Sequence, residues 1–113
     1  MDLNAESYGR AVILNVKGEL TEDSLEAFRR MVEHHLGNKE VIDLVINMEG
    51  VPFIDSAALE YLLDVQDQLA TKVGQVKVAN CSDNILKILE ITRLTGTFEI
   101  FDDIPQAVKA MQV

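Results

Sequence analysis

Short apolar runs alternate with longer amphipathic segments along the chain, and this alternation predicts its strands and helices. The apolar runs are rich in β-branched residues, as is typical of buried strands. They predict strands at residues 3–7, 11–16, 41–46, 75–79 and 97–101. A Tyr-Gly-Arg turn separates the first two runs, which are therefore expected to form a hairpin.

Four longer segments carry apolar residues at helical spacing and begin near residues that favour helix N-termini. Thr21 is expected to cap the first helix, and Asp55 or Ser56 begins the second. The predicted helices are residues 22–36, residues 55–74, the segment from Ser82 to Gly96, and the segment that starts at Asp103.

The order of these elements is β-β-α-β-α-β-α-β-α, which predicts an α/β fold. Strands that alternate with helices favour a parallel sheet, while the opening hairpin makes the sheet mixed. The strand at residues 75–79 alternates apolar and polar residues, which predicts one buried and one thinly covered face, and the last strand alternates again. We therefore expect about four helices mainly on one face of about five strands. At 113 residues, the whole chain (residues 1–113) is expected to be a single domain.

The strand at residues 41–46 and the helix that follows it organise the rest of the chain. Residues 47–52 are predicted to form a turn, and Phe53 and Ile54 return the chain to the core. Ser56 is thus expected near the surface, at a helix N-terminus and directly after Asp55. Either residue suits ordinary N-capping, which contributes about 1 kcal/mol. The other interpretation is that Ser56 is phosphorylated, since a helix N-terminus tolerates added negative charge.

The formal charge of −9 restricts the choice of partners. Nucleic acids and anionic membranes require concentrated Lys and Arg, so neither is expected as a direct partner. A basic protein partner is compatible with this charge, as is simple solubility. No apolar run approaches the ~20 residues of a membrane span, no signal peptide is evident, and Cys81 is the only cysteine. A cytoplasmic location is therefore expected.

Residues suited to catalysis or metal binding are sparse in this sequence. The only histidines, His34 and His35, are adjacent, and no Gly-x-Ser-x-Gly motif surrounds Ser56. Glu33 precedes the two histidines, but helical metal ligands prefer spacings of three or four. Cys81 has no second cysteine to share a metal. We therefore expect neither an enzyme nor a metal or other cofactor.

Ile-Asp-Ser-Ala-Ala-Leu at residues 54–59 resembles the signature of the STAS domain, the fold of anti-sigma factor antagonists. Three further motifs, in the right order, resemble the same family. Residues 16–20, with Gly-Glu-Leu, are similar to an early turn of the family, and residues 45–51 resemble the strand and loop before the signature. Residues 91–96 and 98–101 resemble its C-terminal end.

The resemblance implies a phosphorylation switch. In this family the unphosphorylated antagonist binds an anti-sigma factor, which is a serine kinase that uses ATP. The kinase phosphorylates the serine directly after the signature aspartate, and a metal-dependent serine phosphatase of the PP2C type restores the active form. By position, these residues are Ser56 and Asp55. The implied partner-binding residues are Asp55, Ser56, Ala57, Ala58, Glu60, Glu19 and Thr21.

The sequence also departs from the family pattern. Ala57, Ala58, Leu59 and Glu60 stand where the family often has Ser-Gly-Leu-Gly, and Thr21 replaces an aspartate. The same fold resembles non-switching docking subunits of lipid ABC transporters and signalling scaffolds, in which Ser56 would be only a helix cap. The oligomeric state is left open between a monomer and a weak dimer.

Overall fold

The computed structural model describes residues 1–111 as one five-stranded sheet with four helices. The elements follow the predicted order. Their bounds are β1 Asp2–Tyr8, β2 Ala11–Lys17, α1 Leu25–Leu36, β3 Asp43–Gly50, α2 Ser56–Ala70, β4 Val76–Ala79, α3 Asp83–Ile91, β5 Glu99–Phe101 and α4 Ile104–Lys109.

The strands lie in the sheet in the order in which they occur along the chain. β1 runs antiparallel to β2, and β2, β3, β4 and β5 are parallel to one another. Gly9 has a φ of 56°, which suits the two-residue turn between β1 and β2. The predicted mixed sheet with a parallel centre is therefore confirmed.

Helices cover the two faces of the sheet unequally. Alternate residues of β2 and β3, such as Leu14 and Ile46, join apolar residues of α1, α2 and α3 in the larger core. On the opposite face, α4 places Ala107 over Ile13 and Val45 in a smaller cluster. The expectation that the helices lie mainly on one face is confirmed.

β4 differs from the expectation of one buried and one thinly covered face. All four of its residues are buried, including Lys77, whose exposed fraction is 4%. The Lys77 Nζ lies 2.8 Å from a carboxylate oxygen of Glu99 on β5 and 5.7 Å from the ring centroid of Phe101. The alternation in β4 therefore reflects a buried charge that is paired, and not a face left to solvent.

The predicted bounds of β3 were wrong at both ends. Residues 47–50 were expected to form a turn, yet they continue the strand as far as Gly50. Pairing with β2 decides this, because Asn47 lies opposite Asn15 and Gly50 lies opposite Lys17. A Cβ on Gly50 would come within 2.9 Å of the Val16 carbonyl oxygen, so only glycine permits this close approach.

The start of α1 also differs from the prediction. The helix begins at Leu25 with Ser24 as its N-cap, and Thr21 does not cap it. Instead, the Thr21 amide donates a hydrogen bond to the Ser24 Oγ at 3.0 Å. None of the helices among residues 1–111 is long and apolar enough to cross a membrane.

Candidate functional site

Ser56 is the first residue of α2, and its side chain is exposed. The helix is capped by Asp55, whose Oδ1 accepts a hydrogen bond from the Ala58 amide at 3.0 Å. Within residues 1–111 no hydrogen bond involves the Ser56 hydroxyl. Of the two capping candidates in the sequence, Asp55 therefore has the capping role and the hydroxyl of Ser56 is available for other chemistry.

The second carboxylate oxygen of Asp55 joins this helix to a distant loop. Its Oδ2 accepts a hydrogen bond from the Glu22 amide at 2.9 Å. This amide lies in the turn before α1, so the N-cap residue of α2 satisfies a backbone donor of that turn. Sequence analysis missed this bond because it links residues that are 33 positions apart.

Backbone hydrogen bonds hold the same two loops together. The Leu20 amide donates to the Phe53 carbonyl at 3.0 Å, and the Asp55 amide donates to the Leu20 carbonyl at 3.2 Å. Leu20 and Ile54 thereby form a short parallel bridge, and both side chains are buried. The loop with the Gly-Glu-Leu motif is thus fixed beside the start of α2.

These hydrogen bonds between the loop at Leu20 and residues 53–55 bring most of the predicted partner-binding residues to one end of the molecule. Glu19 and Glu60 are exposed, whereas Thr21 and Ala57 are half-buried. Ala58 differs from the others, because its exposed fraction is 0% and it belongs to the larger core. Its methyl group therefore packs inside the protein and does not face a partner in this conformation.

A shallow groove between α1 and α2 was not predicted from the sequence. It has a volume of about 340 Å³ and reaches Ala57, next to Ser56. The Arg29 guanidinium lies 5.3 Å from the centroid of the Tyr61 ring, and burial, followed by the charge of Glu33, raises the pKa of Tyr61 to about 12. The groove is also lined by four carboxylates, those of Glu22, Glu26, Glu60 and Asp64.

The other candidates from the sequence lie apart from this arrangement. His34 is exposed and His35 is half-buried, with their ring centroids 5.0 Å apart near the end of α1. Burial raises the pKa of the Cys81 thiol to about 11, so this thiol is protonated at neutral pH. In the part of the chain that the structure describes, no three His, Cys, Asp or Glu side chains are grouped as metal ligands.

Comparisons with known proteins agree with the motifs. The family profile described as "STAS domain" matches residues 2–107. The anti-sigma F factor antagonist of Paenibacillus polymyxa is 19% identical over 113 residues, which cover 100% of this chain and 97% of that protein.

Solved structures show the same fold at low sequence identity. A crystal structure of an anti-sigma factor antagonist from Mycobacterium paratuberculosis superposes with a TM-score of 0.85 at 20% identity, covering 96% of this chain and 92% of that one. The phosphorylated form of the Bacillus cell fate determinant SpoIIAA superposes with a TM-score of 0.75 at 19% identity, covering 98% of this chain and 100% of that one.

Proposed function

The chain belongs to the STAS domain family, and from this premise we propose that it is an anti-sigma factor antagonist switched by phosphorylation of Ser56. The unphosphorylated protein binds an anti-sigma factor that is a serine kinase, and phosphorylation of Ser56 releases it. A serine phosphatase of the PP2C type reverses the modification. The protein then acts as a binding module in the cytoplasm, where ATP is available to the kinase.

The observation that carries this proposal is the division of roles between Asp55 and Ser56. The Asp55 carboxylate caps α2 and holds the Glu22 amide, whereas the Ser56 side chain is exposed and plays no part in either contact. A kinase can therefore modify the hydroxyl without removing the helix cap. The relative from Paenibacillus polymyxa is named an anti-sigma F factor antagonist, which supports the proposed role as an antagonist.

A phosphate at this position would act on a partner more than on the fold. It adds about −1.5 to −2 charges at pH 7, and the N-terminus of a helix favours negative charge. A partner packed against this end of α2 would have to remove water from the phosphate beside the Asp55 carboxylate. That desolvation costs several kcal/mol, and every ~1.4 kcal/mol changes Kd tenfold. The result is a switch of affinity without refolding.

Phosphorylation followed by intact mass tests the proposal directly. The purified protein is incubated with ATP, Mg²⁺ and each anti-sigma-type serine kinase of its source genome. We expect the mass to increase by one phosphate, and Ser56→Ala to abolish the increase. Ser7→Ala is the matched control, because Ser7 is an exposed serine on β1 and its loss should leave phosphorylation intact.

The opposite result would assign a different role. Each kinase is first shown to be active on another substrate. If none of them then modifies the wild-type protein, Ser56 is not a phosphorylation site. The protein would then be a docking domain of constant affinity.

A further inference from the structure

Phe53 is an exposed aromatic residue three positions before Ser56. Its exposed fraction is 40%, so the expectation that the chain returns to the core at this residue was wrong, although it holds for the next residue, Ile54, which is buried. Single exposed apolar residues are common on protein surfaces and need no special explanation. The position of Phe53 next to the candidate phosphorylation site, and the way in which its loop is held, distinguish it.

Hydrogen bonds fix the loop that carries Phe53 from two sides. The Phe53 carbonyl accepts from the Leu20 amide at 3.0 Å. The Pro52 carbonyl accepts from the Asn84 Nδ2 of α3 at 3.0 Å, and Pro52 has a restricted φ of its own. Because the backbone is already ordered, presenting the aromatic ring to a partner requires little further loss of entropy.

The charges near Phe53 are mainly negative. Glu19 and Glu22 lie in the loop that is hydrogen-bonded to residues 53 and 55, and Glu60 lies one turn into α2. All three are exposed. Arg29 lies over the Tyr61 ring. Lys17 on β2 and Lys87 on α3 lie on elements that neighbour the loop. The surface around Ser56 thus combines an exposed aromatic side chain, carried on a hydrogen-bonded loop, with neighbouring carboxylates.

We infer that Phe53 is the apolar anchor through which this protein docks onto the serine kinase that recognises Ser56. The inference rests on the proposed function and adds the chemistry of the partner surface. The ring enters an apolar pocket on the kinase, and basic residues around that pocket face Glu19, Glu22 and Glu60. Rigid aromatic side chains at the centre of an interface, with a polar rim, often dominate binding energy.

The test compares two apolar truncations in binding assays with the kinase that phosphorylates the wild-type protein. Phe53→Ala should weaken binding about 30-fold, which corresponds to the lower limit of a hot spot. Val73→Ala is the matched control, because Val73 is 93% exposed but lies beyond the other end of α2. It should leave Kd unchanged, and Phe53→Leu should fall between Phe53→Ala and wild type.

Each outcome separates this inference from the proposed function. Melting curves first establish that both alanine variants are folded. If Phe53→Ala binds as tightly as wild type while Ser56→Asp does not bind, the anchor is overturned and the switch stands. If Phe53→Ala and the control Val73→Ala lose affinity equally, the loss is not specific to Phe53 and the inference also fails. If the wild-type protein neither binds nor is phosphorylated by any such kinase, the proposed function fails and the anchor fails with it.

Discussion

Replacement of Asp55 by alanine removes two hydrogen bonds that backbone amides donate to its carboxylate. One is the cap of α2, from the Ala58 amide to Oδ1 at 3.0 Å, and the other is the link to the Glu22 amide at 2.9 Å. Loss of a cap costs about 1 kcal/mol, and a hydrogen bond to a charged group contributes about 1.5–3 kcal/mol. Because Glu22 is exposed, water replaces part of the second bond. We therefore expect Asp55→Ala to lower the free energy of unfolding by about 2–3 kcal/mol.

Asp103 provides the matched control for this prediction. It caps α4 through one bond, from the Gln106 amide to Oδ1 at 2.9 Å, and no second backbone amide among residues 1–111 donates to its carboxylate. Asp103→Ala should therefore cost only about 1 kcal/mol. Urea denaturation gives the free energy of unfolding of both variants. The difference between their losses estimates the contribution of the hydrogen bond between the Glu22 amide and Asp55.

Amide hydrogen exchange provides a second, local measurement. The Glu22 amide should exchange faster in Asp55→Ala than in wild type, whereas Asp103→Ala should not alter it. The reasoning would be refuted if Asp55→Ala were no more destabilising than Asp103→Ala and the Glu22 amide exchanged at the wild-type rate. Asp55→Asn should be intermediate, because its single remaining side-chain oxygen can still cap α2.

Three further predictions concern the residues around the site. Ser56→Asp should weaken kinase binding at least about 100-fold, a loss of roughly 2.7 kcal/mol. Its melting temperature should be close to that of wild type, because the new charge lies at a helix N-terminus. Unfolding of this variant would contradict a switch that acts only at the interface. Ala58→Gly should cost about 1–2 kcal/mol in urea denaturation, since it adds backbone freedom and removes a buried methyl group. Its Kd for the kinase should be unchanged, and a tighter complex would show that Ala58 takes part in recognition. Burial raises the pKa of Cys81 to about 11, so alkylation by iodoacetamide should be slow at pH 8 and accelerate up to about pH 11; a rate that already levels off near pH 9 would contradict this.

Elements were easier to predict from the sequence than the residues at which they end. The apolar runs identified five strands and the amphipathic segments four helices, since both patterns repeat over a few neighbouring residues. Residues 47–50 resemble a turn when read alone, but pairing with β2 keeps them in β3. The turn before α1 likewise has a distant partner, because the Glu22 amide donates to Asp55. An end of a strand or helix is difficult to predict when its hydrogen bonds go to distant residues.

In the candidate site, too, some features were predictable from the sequence and others were not. The amino-acid pattern alone predicted that an acid and a serine begin the second helix, and the motifs identified the family. Three features depend on how distant segments pack: Asp55 caps the helix, Ala58 lies in the core, and Phe53 remains exposed on a hydrogen-bonded loop. The physical reason is that local patterns decide which segments form helices and strands, whereas burial and side-chain hydrogen bonds depend on which distant segments pack together.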